Sequence, residues 1–247
     1  MIVVSRIALL AALLLVGSPA DGEESFRPLF DGKTLAGWEG DPTYWSVKDG
    51  AIVGRITDAT RIDKNRFLIY QGELPGDFEF QAEYRVSPRG NSGVNYRSEV
   101  VDGVDFHALR GYQCDIDGGL RYTGSNYEER RRTTLARIGE SAVVPPSEGA
   151  KELAHVEGNA WSVREVTPLP HSADDLRAKV HPKGWNKLRI VARGPRLEHY
   201  VNGVLASRVV DNDPVNRRLD GKLGVQVHVG PPMTIEFRNL RLRDLSE

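Results

Sequence analysis

Two acidic side chains mark one predicted strand as a place where chemistry could occur. Asp115 and Asp117 alternate with Cys114 and Ile116, so both carboxylates point to one face of the strand, roughly 7 Å apart. Such a pair could hold a divalent cation or share the roles of acid and base. The same spacing also occurs where carboxylates only solvate a sheet, and both interpretations stay open.

A histidine late in the chain is the other candidate for proton transfer. His228 lies between Val227 and Val229, which places its imidazole on the polar face of a strand beside Gln226. Imidazole exchanges protons near neutral pH and binds divalent metals. The alternative is a structural histidine that bonds a nearby carbonyl.

Other predicted strands also carry polar residues opposite their apolar side. If these strands are neighbours in a sheet, their polar faces merge into one surface, which would suit the hydroxyls and C–H faces of a sugar. An ordinary solvent-facing sheet would give the same pattern. The residues concerned are Glu79, Gln81, Glu83 and Arg85; Asn95 and Arg97; Gln113, Asp115 and Asp117; and Gln226 and His228.

Several other catalytic chemistries find no support in the sequence. Cys114 falls on the apolar side of its strand, and no serine stands in a G-x-S-x-G elbow. The chain has no pair of closely spaced zinc ligands, and no Gly-Lys-Ser/Thr follows the turn at residues 89–93. A double-displacement glycosidase is disfavoured because Gly118, Gly119 and Leu120 stand where a further acid is expected.

The elements that must position these residues are strands. Short runs with period-two alternation recur between Gly, Pro, Asn and Asp clusters, which is typical of an all-β antiparallel sandwich or barrel. The clearest strand is predicted over 77–86, another over 112–117, and a hairpin over 186–192 and 197–201. Strands over 204–210, 223–229 and 234–242 follow. Between residues 122 and 181 the alternation weakens, and we expect long loops there, with an occasional short strand near 160–166.

The N-terminus predicts export. Arg6 precedes an apolar run over 7–16, and Ser18 and Ala20 are small residues at signal-peptidase positions, so 1–20 is predicted to be a signal peptide. Residues 21–247 are then expected to form a single domain, secreted or periplasmic, with no stable membrane insertion. Cys114 is the only cysteine, so the core has no intramolecular disulfide to rely on. A net charge of −1 and evenly scattered charges predict no basic face, which argues against a nucleic-acid partner.

Motifs in order along nearly the whole mature chain resemble those of the 3-keto-disaccharide hydrolase domain family. Each motif is weak alone, but their order is more specific. They are Phe30-Asp31-Gly32-Lys33, Gly37-Trp38, Asp77-Phe78-Glu79, Glu83-Tyr84-Arg85, Asn91-Ser92-Gly93-Val94 with Arg97, Gly111-Tyr112-Gln113, Asp115-Ile116-Asp117, Trp185-Asn186, Val201-Asn202-Gly203, Gly224-Val225-Gln226 with His228, and Phe237-Arg238-Asn239-Leu240.

The resemblance implies a concanavalin A-like jelly roll that acts on small glycosides oxidised at C3. A base would remove the proton at C2, and the group at C1 would leave by β-elimination. On that basis His228, Asp115 or Glu83 is the candidate base, and Asn91, Arg97, Gln113 and Gln226 would bind sugar oxygens. A divalent cation is the one cofactor allowed for, with Asp115, Asp117 and His228 as its ligands. The chain departs from the family pattern at Asp115, where a Glu is expected, and at Val227, where an Asp is frequent.

Two further functions remain open at this point. A non-catalytic, lectin-like carbohydrate-binding module would need the same polar groove, because a fold does not dictate function. A conventional glycosidase would act on unoxidised sugar through two essential carboxyls.

Overall fold

The described part of the chain forms a sandwich of two β-sheets. The computed structural model describes residues 26–104, 106–147 and 164–246. The strands are β1 (Arg27–Pro28), β2 (Trp38–Glu39), β3 (Trp45–Lys48), β4 (Ala51–Ile56), β5 (Arg66–Tyr70), β6 (Phe78–Val86), β7 (Asn91–Val100), β8 (Leu109–Asp117), β9 (Asn126–Glu129), β10 (Thr133–Ala136), β11 (Glu140–Val144), β12 (Glu165–Pro168), β13 (Asn186–Arg193), β14 (Arg196–Val201), β15 (Val204–Asp211), β16 (Lys222–Val227) and β17 (Met233–Asp244). A 3₁₀ turn at Asp58–Thr60 and helix α1 (Ala173–Arg177) complete the described elements.

The two sheets have ten and seven strands. The large sheet runs in the order β12-β11-β15-β14-β13-β6-β17-β4-β3, with β1 paired to β17. The small sheet runs β10-β9-β8-β7-β16-β5-β2. Neighbouring strands are antiparallel except β11 and β15, which pair in parallel. The predicted all-β jelly-roll sandwich is confirmed.

Alternating side chains build the core between the sheets. On β6, Phe78, Phe80 and Tyr84 are at most 1% exposed and Ala82 is also buried, whereas Gln81 and Glu83 between them are partly exposed. On β8, Tyr112 and Cys114 are completely buried, as the alternation predicts. Each large apolar side chain buried in this way stabilises the fold by roughly 1.5–3 kcal/mol.

The strand predictions hold outside the middle of the chain. The predicted hairpin and the three strands after it correspond to β13–β17, with ends shifted by a few residues. The prediction of long loops after residue 122 is wrong as far as residue 144, since β9, β10 and β11 lie there. These strands have only four or five residues each, too few to show an alternation. The predicted signal peptide lies outside the described residues.

A buried ion cluster joins the two sheets beside these short strands. The Arg132 guanidinium lies 2.5 Å from the Glu128 carboxylate on β9 and 2.6 Å from Asp211 on β15, and all three side chains are fully buried. The Tyr112 hydroxyl also donates to Asp211, at 2.5 Å. The charged run 128–132 therefore contributes two of its charges, Glu128 and Arg132, to the interior. A charge can be buried in this way only if it is paired and hydrogen-bonded.

The outer face of the large sheet is a ladder of ion pairs. Arg238 pairs with Glu83 at 2.6 Å, and Arg85 pairs with Glu236 at 2.7 Å. Arg85 and Arg238 also lie 4.9 and 4.0 Å from the ring centre of Trp185. Because β6 belongs to the large sheet and β8 to the small one, the expected merger of their polar faces does not occur. No helix in the described ranges is long and apolar enough to cross a membrane.

Candidate active site

A polar cleft opens on the outer face of the small sheet. Its volume is about 310 Å³, within the size range of small-ligand sites. Strands β7, β8 and β9 supply its floor, and the segments before β5 and after β16 supply its rim. Its lining residues are Asn65, Asn91, Gln113, Asp115, Tyr122, Tyr127, Glu129, Thr134 and His228. Four of these, Asn91, Gln113, Asp115 and His228, are among the residues predicted from sequence.

Strand β8 presents Gln113 and Asp115 to the cleft because Cys114 between them fills the core. The Gln113 amide donates to Asp115 Oδ1 at 2.8 Å. On β7, Gly93 is the register partner of Asp115, and a Cβ at Gly93 would lie 2.5 Å from the Gln113 side chain. The glycine therefore provides the space in which Gln113 reaches Asp115.

Side-chain amides connect the two carboxyls of the cleft. Gln226 Nε2 donates to Gln113 Oε1 at 3.0 Å and to Glu129 Oε2 at 3.3 Å. Asn65 donates to Glu129 Oε1 at 3.4 Å and accepts from the Val229 backbone N–H at 3.0 Å. Gln226, predicted to bind sugar, is completely buried beneath this network. Its two hydrogen bonds hold Gln113 and Glu129 in position.

The acidic groups of the cleft have raised pKa values. Burial raises the pKa of Asp115 to about 8, helped by the negative charges of Glu129 and Asp117 and opposed by the bond from Gln113. Burial also raises the pKa of Glu129, against the opposing effect of Arg130 and the two amides. The same burial and the two carboxylates raise the pKa of Tyr127 to about 12. At neutral pH, Asp115 is therefore mainly a proton donor.

His228 differs from these acids in that it is positioned to accept a proton. Its Nδ1 lies 2.6 Å from the Val229 carbonyl oxygen. Because a carbonyl can only accept, Nδ1 carries the hydrogen and Nε2 keeps a lone pair. Burial lowers the pKa of His228, so the ring is neutral near pH 7. The cleft thus contains a neutral base and a protonated acid, which is the pairing that acid–base catalysis requires.

The structure places two predicted site residues, Glu83 and Arg97, away from this network. Glu83 lies on the outer face of the other sheet, bound to Arg238. The Arg97 guanidinium is 1% exposed and donates to the Gly76 and Gly194 carbonyls and to Asp77. Arg97 thus fastens chain segments together and does not line the cleft.

Asp117 closes a turn, and this bears on the predicted cation site. Its carboxylate accepts from the backbone N–H groups of Gly119 at 3.0 Å and Arg121 at 2.8 Å. The ligand set of Asp115, Asp117 and His228 is therefore not assembled, since the backbone N–H groups of its own turn engage the Asp117 carboxylate. Across the described ranges, no group of three or more His, Cys, Asp or Glu side chains is placed to hold a metal ion. These residues do not fit the predicted cation.

Sequence reasoning missed five lining residues: Asn65, Tyr122, Tyr127, Glu129 and Thr134. Tyr127 and Glu129 alternate with the inward-facing Asn126 and Glu128, so a strand signal existed but spans four residues only. Asn65 precedes a strand and carries no pattern that distinguishes it from other loop asparagines.

Comparison with known proteins gives one family match and several structural ones. Residues 25–243 match the model of the 3-keto-α-glucoside-1,2-lyase-like domain. A 3-keto-disaccharide hydrolase of Bacteroides thetaiotaomicron is 33% identical over 98 residues, which are 35% of this chain and 32% of that relative. The aligned region thus spans about a third of the relative's length.

Two solved structures share the fold. A Parabacteroides distasonis protein, whose name assigns it provisionally to the glycosyl hydrolases, superposes with a TM-score of 0.54 at 17% identity, over 90% of this chain and 95% of that one. The carbohydrate-binding module CBM66 of Bacillus subtilis gives a TM-score of 0.50 at 15% identity, over 84% and 96%. At these identities the likeness concerns the architecture alone.

Proposed function

The chain belongs to the family of 3-keto-α-glucoside-1,2-lyase-like domains, and from this premise we propose that it cleaves glycosides whose sugar carries a ketone at C3. The observation that carries this proposal is the pairing of a neutral His228 with a protonated Asp115 in one cleft. The substrate is a small carbohydrate that the amides and tyrosines of the cleft would bind.

The first step is removal of the C2 proton. A ketone at C3 acidifies that proton, and His228 Nε2 has the free lone pair needed to accept it. The electron pair of the C2–H bond forms the enolate, which places negative charge on the C3 oxygen. The amide N–H groups of Asn65 and Asn91 are the donors in the cleft wall that would face this charge.

The second step expels the group at C1. The enolate electrons form the C1–C2 double bond as the C1–O bond breaks, and Asp115 transfers its proton to the leaving oxygen. A pKa of about 8 keeps this proton on Asp115 at neutral pH. Release of the unsaturated ketone makes the reaction a lyase reaction. Addition of water across the new double bond, with a proton returned to C2, makes it a hydrolysis.

The cleft surface suits a sugar ring independently of the chemistry. Tyr122 and Tyr127 offer aromatic surface for C–H faces, and Gln113 and Thr134 offer hydrogen-bonding groups for hydroxyls. The proposal places this activity outside the cytoplasm, which rests on the signal-like sequence of residues 1–20.

The test is turnover of a chromogenic 3-keto-glucoside beside its unoxidised parent, for the wild type and His228→Ala. We expect release from the keto substrate alone and a loss of about 10²–10⁴-fold in the variant. Exchange of the C2 hydrogen in deuterated water should fall by a similar factor.

Each alternative has its own outcome. Binding of both sugars with release from neither would indicate a lectin-like module. Release from the unoxidised parent would indicate a conventional glycosidase that uses Asp115 and Glu129. A chelator should leave the rate unchanged, and loss of activity with the metal removed would overturn the cation-free form of the mechanism.

A further inference from the structure

A second groove lies on the opposite side of the sandwich, on the outer face of the large sheet. Its volume is about 490 Å³, which is larger than the cleft. The pairing of β17 with β6 shifts register between Arg238 and Arg241, and this irregularity lies beside the groove. Among its lining residues are Phe30, Gln81, Lys187, Arg189, Tyr200 and Arg241.

The sheet face around this groove carries more positive than negative charge. Its carboxylates are already matched by arginines: Glu83 by Arg238, Glu236 by Arg85, Glu79 by Arg243 and Glu198 by Arg208. Lys187 and Arg193 have no carboxylate within ion-pairing distance in the described part of the chain. The net charge of −1 and the even scatter of charges predicted no basic face. The fold nevertheless brings an excess of basic residues together on this sheet face.

The cationic groups that line the groove are held in place by their neighbours. The Arg189 guanidinium lies 3.7 Å from the ring centre of Tyr200, and its ion pair with Glu79 is long, at 3.8 Å. Arg241 donates to the neutral Gln81 amide oxygen at 2.9 Å. A guanidinium that is fixed by a ring, as Arg189 is, keeps its charge available for a carboxylate, and less side-chain freedom is lost on binding.

We propose that this groove binds a polysaccharide that carries carboxylate groups, such as a polyuronate. Charge complementarity selects an anionic chain, and the size of the groove suits one sugar unit at a time. The preference for a saccharide over a nucleic acid has a structural reason. Arginines already cover the aromatic rings of this face, as at Trp185 and Tyr200, so bases have little free ring surface on which to stack.

The groove and the cleft lie on opposite sheets, so the proposal does not depend on the keto-glycoside chemistry. It gives the fold a second role, in which one face holds an acidic polymer and the other cleaves a small sugar.

The experiment is affinity electrophoresis in gels that contain polygalacturonate or its fully methyl-esterified form, which has the same backbone without free carboxylates. We expect retardation by the free acid only, and weaker retardation as salt increases. The variant Lys187→Ser/Arg189→Ser should bind about tenfold more weakly. The control Lys64→Ser/Arg89→Ser removes two exposed charges elsewhere and should bind like the wild type.

Circular dichroism and thermal unfolding of the same samples report folding, and the double variant should also turn over the 3-keto-glucoside like the wild type. If that variant does not fold, Lys187→Glu replaces it, because Lys187 is exposed. The proposal is wrong if polygalacturonate causes no retardation, if the methyl ester retards equally, or if the control variant is weakened as much. Equal binding of double-stranded DNA would show an unselective polyanion surface and would also overturn it.

Discussion

Carboxyl groups on the outer faces of the two sheets have different kinds of hydrogen-bonding partner. On the large sheet, Glu83 and Glu198 lie against guanidinium groups, at 2.6 and 2.8 Å. On the small sheet, Asp115 and Glu129 are held by side-chain amides of Gln113, Asn65 and Gln226.

The difference shows in protonation. Although burial opposes the effect, bonds from Tyr200 and Arg208 lower the pKa of Glu198. Burial without a strong cationic partner raises the pKa of Asp115 to about 8. An amide fixes the position of a carboxyl group without supplying the charge that would strip it of its proton. On the outer faces of the sheets, an arginine partner therefore accompanies the structural acid Glu198, and an amide partner accompanies Asp115, the acid that can take part in chemistry.

The sharpest test of this contrast is Asp115→Asn. Removal of the proton donor should lower kcat by about 10²–10⁴-fold for a 3-keto-glucoside with an alkoxide leaving group. A nitrophenolate leaving group needs no protonation, so its release should change little. Steady-state rates on the two substrates measure the ratio, and an equal loss on both would show that Asp115 is not the acid.

The pH profile tests the same pair in the unaltered protein. Catalysis needs neutral His228, so kcat should rise with pH on an acidic limb that lies below pH 6.5, the ordinary pKa of histidine. For a substrate with an alkoxide leaving group, catalysis also needs protonated Asp115, so kcat should fall by about tenfold per unit above pH 8. Asp115→Asn should remove the alkaline limb only. An alkaline limb that persists in this variant belongs to another group.

Gly93→Ala probes the amide that holds Asp115. The new methyl group would lie where Gln113 now lies, and overpacking of this kind costs about 1–3 kcal/mol in the free energy of unfolding. We expect a fall in kcat of about tenfold with it. Denaturant unfolding and kcat should both recover in part in Gly93→Ala/Gln113→Ala if the clash is the cause. No recovery would point to a backbone effect.

The smallest effect is expected at Glu83. Its ion pair with Arg238 is partly exposed, so Glu83→Gln should change the free energy of unfolding by less than about 1 kcal/mol. Turnover of the keto-glucoside should match the wild type. A large loss of activity would contradict the division between the two faces.

Much of the fold could be predicted from the sequence because alternation is a local property. Strands as long as β6 and β13 show it clearly, whereas β9–β11 are too short to do so. The site was predictable only in part. Alternation placed Gln113, Asp115 and His228 on polar faces, and the structure gathers them with Asn91.

What the sequence could not show is which strands are neighbours. Glu83 and Asp115 have similar strand patterns, yet β6 and β8 belong to different sheets. Arg97 illustrates a further limit. Its backbone has a positive φ of 44°, next to an irregular pairing of β7 with β8, and its guanidinium is directed to carbonyls far along the chain. Such a departure from alternation depends on distant residues.

Strand β9 joins the interior to the cleft through two consecutive residues. Glu128 points inward to Arg132, whose other partner Asp211 belongs to the opposite sheet, while Glu129 points outward into the cleft. The amide hydrogens of this strand should therefore exchange with solvent among the slowest in the molecule, through global rather than local opening. Because β9 stays folded in this way, Glu129 is in position before a sugar binds. The binding energy is then not needed to order this side of the cleft.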